Sequence, residues 1–429
     1  MLYSEALEYM YSQLPMFHRI GKLAYKANLD NAWALDDYFG KPHTRYKTIH
    51  VAGTNGKGSV SHMLAAILQK AGYRTGLFTS PHLKDFRERI RVNGEMVSED
   101  EVVSFISQHK AIFEKIEPSF FEMTSAFAFQ YFADKEVDVA IIEVGMGGRL
   151  DSTNIIHPSL SIITNIGFDH TEFLGNTLAL IATEKGGIIK KNVPLIVGEY
   201  HPETWPVFED IAKKLNAPIV KASDIYICTT TTSTDIAGQF FTITQRDSIA
   251  YENLHLDLSG LYQKKNVITV LASIEKIKEA GFRVEESAIR QGLKNVSRIT
   301  GLQGRWQTLS LNPLIICDTG HNPDGIAWVV EQIKSINYQT LHIVLGMVGD
   351  KDVSKVLSML PAQATYYFTN AQIPRALPAA DLKEKASTFG LIGDAFPSVT
   401  SALASARTNA TTNDFIFIGG STFVVAEVV

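Results

Sequence analysis

The chain has 429 residues, 45% of them hydrophobic and 20% charged, with a formal net charge of -5 and two cysteines. That length exceeds one ordinary domain and suits two or three, and the composition is globular rather than disordered or fibrous. The mild acidic excess argues against a nucleic-acid protein, which carries a basic face or stripe, and the widely separated Cys228 and Cys317 offer neither a disulfide framework nor metal-ligand spacing.

The first residues, MLYSEALEYMYSQLPMF, hold two glutamates and no basic segment ahead of an apolar core, so no secretory signal is expected. No apolar run reaches the ~20 residues that span a bilayer, and a cytoplasmic protein is expected. From residue 47 onward, short β-type runs alternate with helical ones. The pattern predicts strands over 47–52, 74–78, 137–144, 160–165 and 193–197, and helices over 57–71, 123–134 and 177–190. Strands separated by helices imply βαβ units and a mostly parallel sheet. Its central strands are almost wholly apolar, as strands covered on both faces are.

Residues 222–257 read differently, being rich in Thr, Ser and Asp with an alternating segment at 238–245, and predict a small antiparallel excursion. Helical periodicity returns at 263–280 and 284–293. A boundary is expected near 296–304, where neither period holds. Beyond it βα alternation restarts, with strands over 314–318, 341–345, 365–368 and 414–418. The expected organisation is a first domain over 1–297 and a smaller α/β domain over 298–429.

Five clusters carry chemistry. In His50-Val51-Ala52-Gly53-Thr54-Asn55-Gly56-Lys57-Gly58-Ser59 a strand enters a glycine-rich turn, then a lysine, then a helix. Glycines let the backbone approach phosphate oxygens, the helix start aims N–H groups at an anion, and Lys57 adds a mobile positive charge. An ordinary glycine turn is the plain alternative; strand, glycines and lysine together weigh against it. Glu143, in IIEVGMGGRLD, ends an apolar strand and is placed to reach a Mg²⁺ on the nucleotide, which needs few protein ligands beside waters and phosphates. His170, in Gly167-Phe168-Asp169-His170, follows a neighbouring strand at the end where open α/β sheets bind ligands, although a lone histidine is more often structural. Glu184-Lys185-Gly186-Gly187 reads from its residues alone as a charged helix followed by glycines. Cys317-Asp318-Thr319-Gly320-His321-Asn322-Pro323 brings Asp, His and Asn to one strand-to-helix turn, where a helix cap is the plain alternative. Arg305, in GRW, adds a cation near the domain boundary.

In this order the pieces resemble the Mur ligase superfamily, and within it the folylpolyglutamate synthase family with its bifunctional dihydrofolate synthase form. The matching stretches are HVAGTNGKGSV, GLFTSPHL with FRERIRVNG, IIEVGMGGRLDSTN, FDH, EKGGIIK, GRW, DTGHNPDG and GGST, spanning residues 50 to 421. The resemblance implies a P-loop ATPase domain with a mostly parallel sheet, a smaller Rossmann-like C-terminal domain, and catalysis between them. It implies that Gly53, Thr54, Asn55, Gly56, Lys57, Gly58 and Ser59 hold the triphosphate, and that Ser80, Glu143 and His170 bind Mg²⁺. Lys185 matches a lysine that becomes carbamylated and bridges to a second Mg²⁺. Asn266, Arg305 and Asp318 would bind ATP, His321 would reach its phosphates, and Ser421 matches a serine near the active site. Gly167-Phe168 and Thr319-Gly320 depart from the residues many members carry.

The implied reaction activates a substrate carboxylate with ATP as an acyl phosphate, which the amine of L-glutamate then displaces, domain closure excluding water. Lys57, Lys185 and His321 would be the catalytic side chains. The GGRLD stretch with Phe120-Phe121-Glu122 favours the bifunctional type, acting on dihydropteroate and reduced folates. Small-molecule substrates, no nucleic acid, no membrane and a monomer are expected. Two rival readings fit less well. A cell-wall amino-acid ligase of the same superfamily would normally carry a further N-terminal domain, whereas about 45 residues precede the first strand here. A P-loop switch or kinase would not need the second domain.

Overall fold

The computed structural model describes residues 1–12, 28–230, 238–246, 248–349 and 353–429. It forms two compact units, one from Met1–Ser233, Gln239–Asp257 and Gln263–Gly301, the other chiefly from Leu302–Val429 with Leu258–Tyr262.

The first unit is built on eight strands: β1 (Lys47–Ala52), β2 (Thr75–Phe78), β3 (Ile90–Val92), β4 (Glu95–Met96), β5 (Val139–Glu143), β6 (Leu160–Ile163), β7 (Leu195–Val197) and β8 (Ile219–Lys221). Their order is β4-β3-β2-β5-β1-β6-β7-β8, with β2 through β8 parallel and β3 and β4 added antiparallel at one edge. All five residues of β5 and all four of β6 are buried, which explains why they are apolar apart from Glu143 and Ser161. The helix Lys57–Lys70 runs from β1 with every residue from Ser59 to Leu68 buried, Ser59, Ser61 and His62 included, so it is covered around its whole circumference rather than along one stripe. Helix Glu286–Leu293 packs so closely that a methyl group on Gly292 would come within 2.7 Å of the Ile67 Cα.

Element ends differ from the periodic pattern where capping decides them. Helix Phe120–Asp134 starts three residues before the predicted 123, because Ser119 and Glu122 form a reciprocal capping box. The same device at Ser98 and Glu101 opens Glu99–Ile116, a helix absent from the predicted elements. The predicted helix 177–190 stops as Leu178–Gly186, with Gly187 at its C-cap. The antiparallel excursion is present as β9 (Ile227–Thr230), β10 (Gln239–Gln245) and β11 (Ser248–Leu256), a three-stranded sheet; residues 231–237 and 247 of that stretch lie outside the described residues. The aperiodic boundary contains one helical turn, Val296–Thr300, ended by Gly301 at φ 72°.

The second unit carries β12 (Gln307–Leu311), β13 (Leu314–Cys317), β14 (Leu341–Leu345), β15 (Thr365–Phe368), β16 (Gly393–Ala395) and β17 (Phe415–Gly419) in the order β12-β13-β17-β14-β15-β16. All pairs are parallel except β12–β13. Two buried clusters cover its faces, one around Trp306, Ile343 and Phe417, the other around Val344, Ile416 and Val425. Both units are α/β, as predicted. Among the described residues no helix is long and apolar enough to cross a membrane.

Candidate functional site

β1 delivers the glycine-rich turn to the carboxyl edge of the first sheet, between β5 and β6. The turn needs its glycines. Gly53 has φ +146°, and a Cβ there would fall 1.9 Å from Thr164 Oγ1; Gly56 has φ +84°, and its Cβ would fall 2.4 Å from Asn266 Oδ1. The end of β6 stitches the turn in place. Asn55 N donates to Asn165 Oδ1 at 2.8 Å, Thr164 Oγ1 donates to Asn55 O at 2.6 Å, and Thr54 N donates to Asn165 O at 3.0 Å. Thr54 Oγ1 accepts from Gly167 N at 3.0 Å. Gly58 and the buried Ser59 lie in the first turn of the helix, with Ser59 Oγ accepting from Gln263 Nε2. Gln263 in turn accepts from Asn266 Nδ2 at 2.7 Å, which fixes Asn266 against Gly56.

Two lysines converge on one carbonyl. Lys57 Nζ donates to Gly53 O at 3.1 Å and to Thr54 O at 3.2 Å, while Lys185 Nζ donates to the same Gly53 O at 2.9 Å. Lys185 is 5% exposed. Burial, then the neighbouring Lys57 charge, push its pKa down to about 7. Two amines gathered at a helix start make a strongly anion-attracting spot.

Lys185 is held there by the GGRLD loop. Arg149 pairs with Glu184 (NH2 to Oε1, 2.9 Å), and its backbone N donates to Glu184 O at 2.7 Å. Cβ atoms on Gly148 or Gly187 would collide with Glu184 O or Arg149 Cα at 2.9 and 2.4 Å. The two glycine-rich motifs are therefore one packed unit, something the charged-helix reading of Glu184–Gly187 could not detect. Asp151 anchors the loop: its Oδ1 accepts from Thr153 N and Oγ1, and its Oδ2 from Met146 N at 2.9 Å. Behind Thr153 stands the wholly buried His50, Nε2 at 2.9 Å, its pKa lowered by burial to about 3 and so neutral.

Glu143 ends β5 directly across from Val51 of β1 and is 3% exposed. Ser80 follows β2, the strand on the other side of β5. His170 lies past β6 in a left-handed conformation, φ 50°, its backbone N–H donating to Asp169 Oδ1 at 3.0 Å. Glu143, Ser80 and His170 thus come from three strand ends around the turn. One carboxylate, one hydroxyl and one imidazole form a sparse, mostly oxygen set, which fits a small hard cation completed by water and phosphate rather than an all-protein cage. Accordingly, among the described residues no group of three His, Cys, Asp or Glu side chains is arranged to hold a metal unaided.

The second unit brings together the residues around β13. Asp318, 3% exposed, accepts from Tyr262 Oη at 2.7 Å, Trp306 N at 2.8 Å and Gly320 N at 2.7 Å. Arg305 NH1 donates to Thr319 Oγ1. His321 Nδ1 lies 2.9 Å from Thr319 O, which assigns the ring proton of the neutral form to Nδ1. Asn322 caps helix Pro323–Lys334 through Gly325 N, and Ser421 caps helix Thr422–Ala426.

Sequence reading missed Thr164, Asn165 and Gln263. Polar residues just past an apolar strand were the available signal for the first two. It also missed a small cleft, with room for about one water, between helices Asp30–Tyr38 and Phe120–Asp134 in the first unit, lined by Asp36, Phe39, Glu122, Ser125 and Ser152 among others.

Residues 51–274 match the Mur ligase middle domain and residues 304–422 the Mur ligase, glutamate ligase domain. The chain is 31% identical to the dihydrofolate synthase/folylpolyglutamate synthase of Bacillus subtilis, over 95% of both chains, and 33% identical to that of Escherichia coli, over 88% of this chain and 85% of the other. Among solved structures, E. coli FolC in complex with DHPP and ADP superposes with a TM-score of 0.86 at 30% identity, covering 100% of this chain and 97% of that one. Folylpolyglutamate synthase of Thermotoga maritima gives 0.83 at 34% identity, covering 99% and 95%.

Proposed function

The chain belongs to the Mur ligase family, among its folylpolyglutamate synthase/dihydrofolate synthase members, and from that premise we propose that it joins L-glutamate to dihydropteroate and to reduced folates with cleavage of ATP. The observation that carries the reading is the convergence of Lys57 and Lys185 on the Gly53 carbonyl, beside Glu143. A P-loop alone would serve a nucleotide switch as well. A second lysine, buried and locked in place by the GGRLD loop, gives the site a reactive amine that a switch does not need. Solved relatives hold ADP in one case, and manganese, AMPPNP and L-glutamate in another, which supports the same ligand classes here.

In this reading an oxygen of the acceptor carboxylate attacks the γ-phosphorus of ATP, the bond from that phosphorus to the β,γ-bridging oxygen breaks, and ADP leaves. The amine of glutamate then attacks the acyl carbon, the carbon–oxygen bond to phosphate breaks, and the amine proton is lost. The amides of 53–59 and Lys57 hold the phosphates and meet the charge that develops on the transferring group. Ser80, Glu143 and His170 would hold Mg²⁺, which supplies charge neutralisation at the phosphate oxygens. Lys185 is deprotonated readily enough to take up carbon dioxide, and as a carbamate it would offer an oxygen ligand to a second Mg²⁺. Asn266, Arg305, Asp318 and His321 are assigned to the nucleotide by the same family resemblance. The enzyme acts as a cytoplasmic monomer on small molecules.

The test is phosphate release from Mg-ATP with L-glutamate, with dihydropteroate in one reaction and tetrahydrofolate in another. Glutamate-dependent release with both is expected. Release with tetrahydrofolate alone removes the dihydrofolate synthase half, and release with neither removes the reading.

A further inference from the structure

Arg89 ends the single turn Phe86–Arg89 and leads into β3. Its carbonyl accepts from Thr79 N at 3.0 Å, so it lies across from the segment that ends at Ser80. The side chain is 3% exposed but stays a cation, burial lowering its pKa only to about 10. A guanidinium has five N–H donors. Here Nε donates to His82 Nδ1 at 2.7 Å and Cζ stands 5.2 Å from the Phe120 ring centroid. Among the described residues the terminal nitrogens donate no hydrogen bond, and no carboxylate is within ion-pair distance.

The local acids are engaged elsewhere. Asp85 takes Arg87 in a fork, Nε to Oδ1 at 3.0 Å and NH2 to Oδ2 at 2.7 Å, and accepts from Tyr3 Oη. Glu88 accepts from the backbone amides of Leu83, Lys84 and Asp85. Glu143 acts on Arg89 through its field without pairing with it. A guanidinium buried with no counter-ion is costly to keep, and the cost is offset when an anion joins it.

We propose that Arg89 binds the carboxylate of the pteroate or folate acceptor, the group that becomes the amide; this rests on the ligase reading above. A carboxylate brought against a triphosphate needs its own cation, because two anions in a poorly solvated site repel strongly. Lys57 faces the phosphate turn, whereas Arg89 stands beside Ser80, on the strand pair at the other side of Glu143. The walls around the guanidinium are aromatic: Phe120 packs on Tyr11 and Phe86, with centroids 5.2 and 5.9 Å away. Such walls strengthen a guanidinium–carboxylate pair, and the arginine itself repels the α-ammonium of free glutamate.

The experiment measures binding of dihydropteroate and of its carboxamide, without ATP or glutamate, to the wild-type protein, R89Q and R89K. The wild type should prefer the carboxylate by about 10- to 100-fold, the range of a charged hydrogen bond, and R89Q should bind the two alike. R89K keeps the charge without the fork and should retain part of the preference. ATP-analogue binding equal to wild type in each variant reports an intact fold. Discrimination retained in R89Q overturns this proposal alone, as does a loss confined to the KM for glutamate. Wild-type protein that binds neither dihydropteroate nor tetrahydrofolate overturns the ligase reading, and this proposal with it.

Discussion

Removing carbon dioxide should silence this enzyme through Lys185. With its pKa held at about 7 by burial and by Lys57, the amine is about three-quarters neutral at pH ~7.5, against roughly one part in a thousand for a lysine at the ordinary value. Only the neutral amine adds to carbon dioxide, so the fold raises the reactive fraction several hundred-fold. The hydrogen bond to Gly53 O, 2.9 Å long, keeps that nitrogen at the phosphate turn. Enzyme equilibrated in carbon-dioxide-free buffer should lose most of its glutamate-dependent phosphate release and regain it when bicarbonate is added. Carbon-13 bicarbonate should give one protein-bound carbamate resonance, absent in Lys185→Ala, whose kcat should fall by at least about 100-fold as for a lost electrostatic ligand. Near-normal turnover in Lys185→Ala would refute the argument. So would full activity without carbon dioxide together with no labelled carbamate.

The same lysine sets a pH dependence of stability. Its folded pKa lies below the unfolded value of 10.5, so the unfolded chain binds the extra proton between pH ~7 and ~10.5. In carbon-dioxide-free buffer stability should rise across that window, and the full penalty, on the order of 5 kcal/mol, should apply below it; urea midpoints at pH ~6.5 and ~9.5 should differ more in the wild type than in Lys185→Met. Gly53→Ala places a methyl 1.9 Å from Thr164 Oγ1 at φ +146° and should cost about 1–3 kcal/mol of stability, with ATP binding weakened at least tenfold; thermal melts and nucleotide titration read the two effects. Asp318→Asn turns one of two acceptor oxygens into a donor facing Tyr262, Trp306 or Gly320, and should destabilise by about 2–3 kcal/mol; an unchanged urea midpoint would mean that water replaces those contacts.

Much of this site was legible in the sequence because glycine spacing and apolar runs have few physical meanings. A strand, a glycine turn and a lysine at 47–57 lead to one geometry, and the almost wholly apolar runs of β5 and β6 required central, doubly covered strands. The antiparallel sheet at β9–β11 was visible as alternation. What escaped was long-range or polar. Helix Glu99–Ile116 is an exception: its Ser98–Glu101 capping box and the helical spacing of Val102, Phe105, Ile106 and Phe113 were both present in the sequence and went unread. That Glu184 and Lys185 belong with Arg149 cannot be read from either segment, since the contact joins residues 35 positions apart. The isolation of Arg89 is less visible still: DFRERI holds two acids and two arginines, and only the hydrogen bonds reveal that Asp85 and Glu88 are engaged elsewhere.

The seat of β1 between β5 and β6 also bears on how the protein is made. Asn55 is anchored by Asn165, 110 positions later, and Lys185 reaches Gly53 across 132. A nascent chain therefore emerges from the ribosome with its phosphate turn complete in sequence but unsupported until β6 and helix Leu178–Gly186 have followed. At ~5–20 residues per second that interval lasts roughly 6–26 seconds. During it, cellular ATP cannot act as a folding ligand; once the 178–186 helix docks, nucleotide binding stabilises the native state by mass action. Fragments ending before residue 165 should neither bind nucleotide nor be protected by it from proteolysis, whereas fragments extending beyond the helix would be the first that nucleotide can rescue.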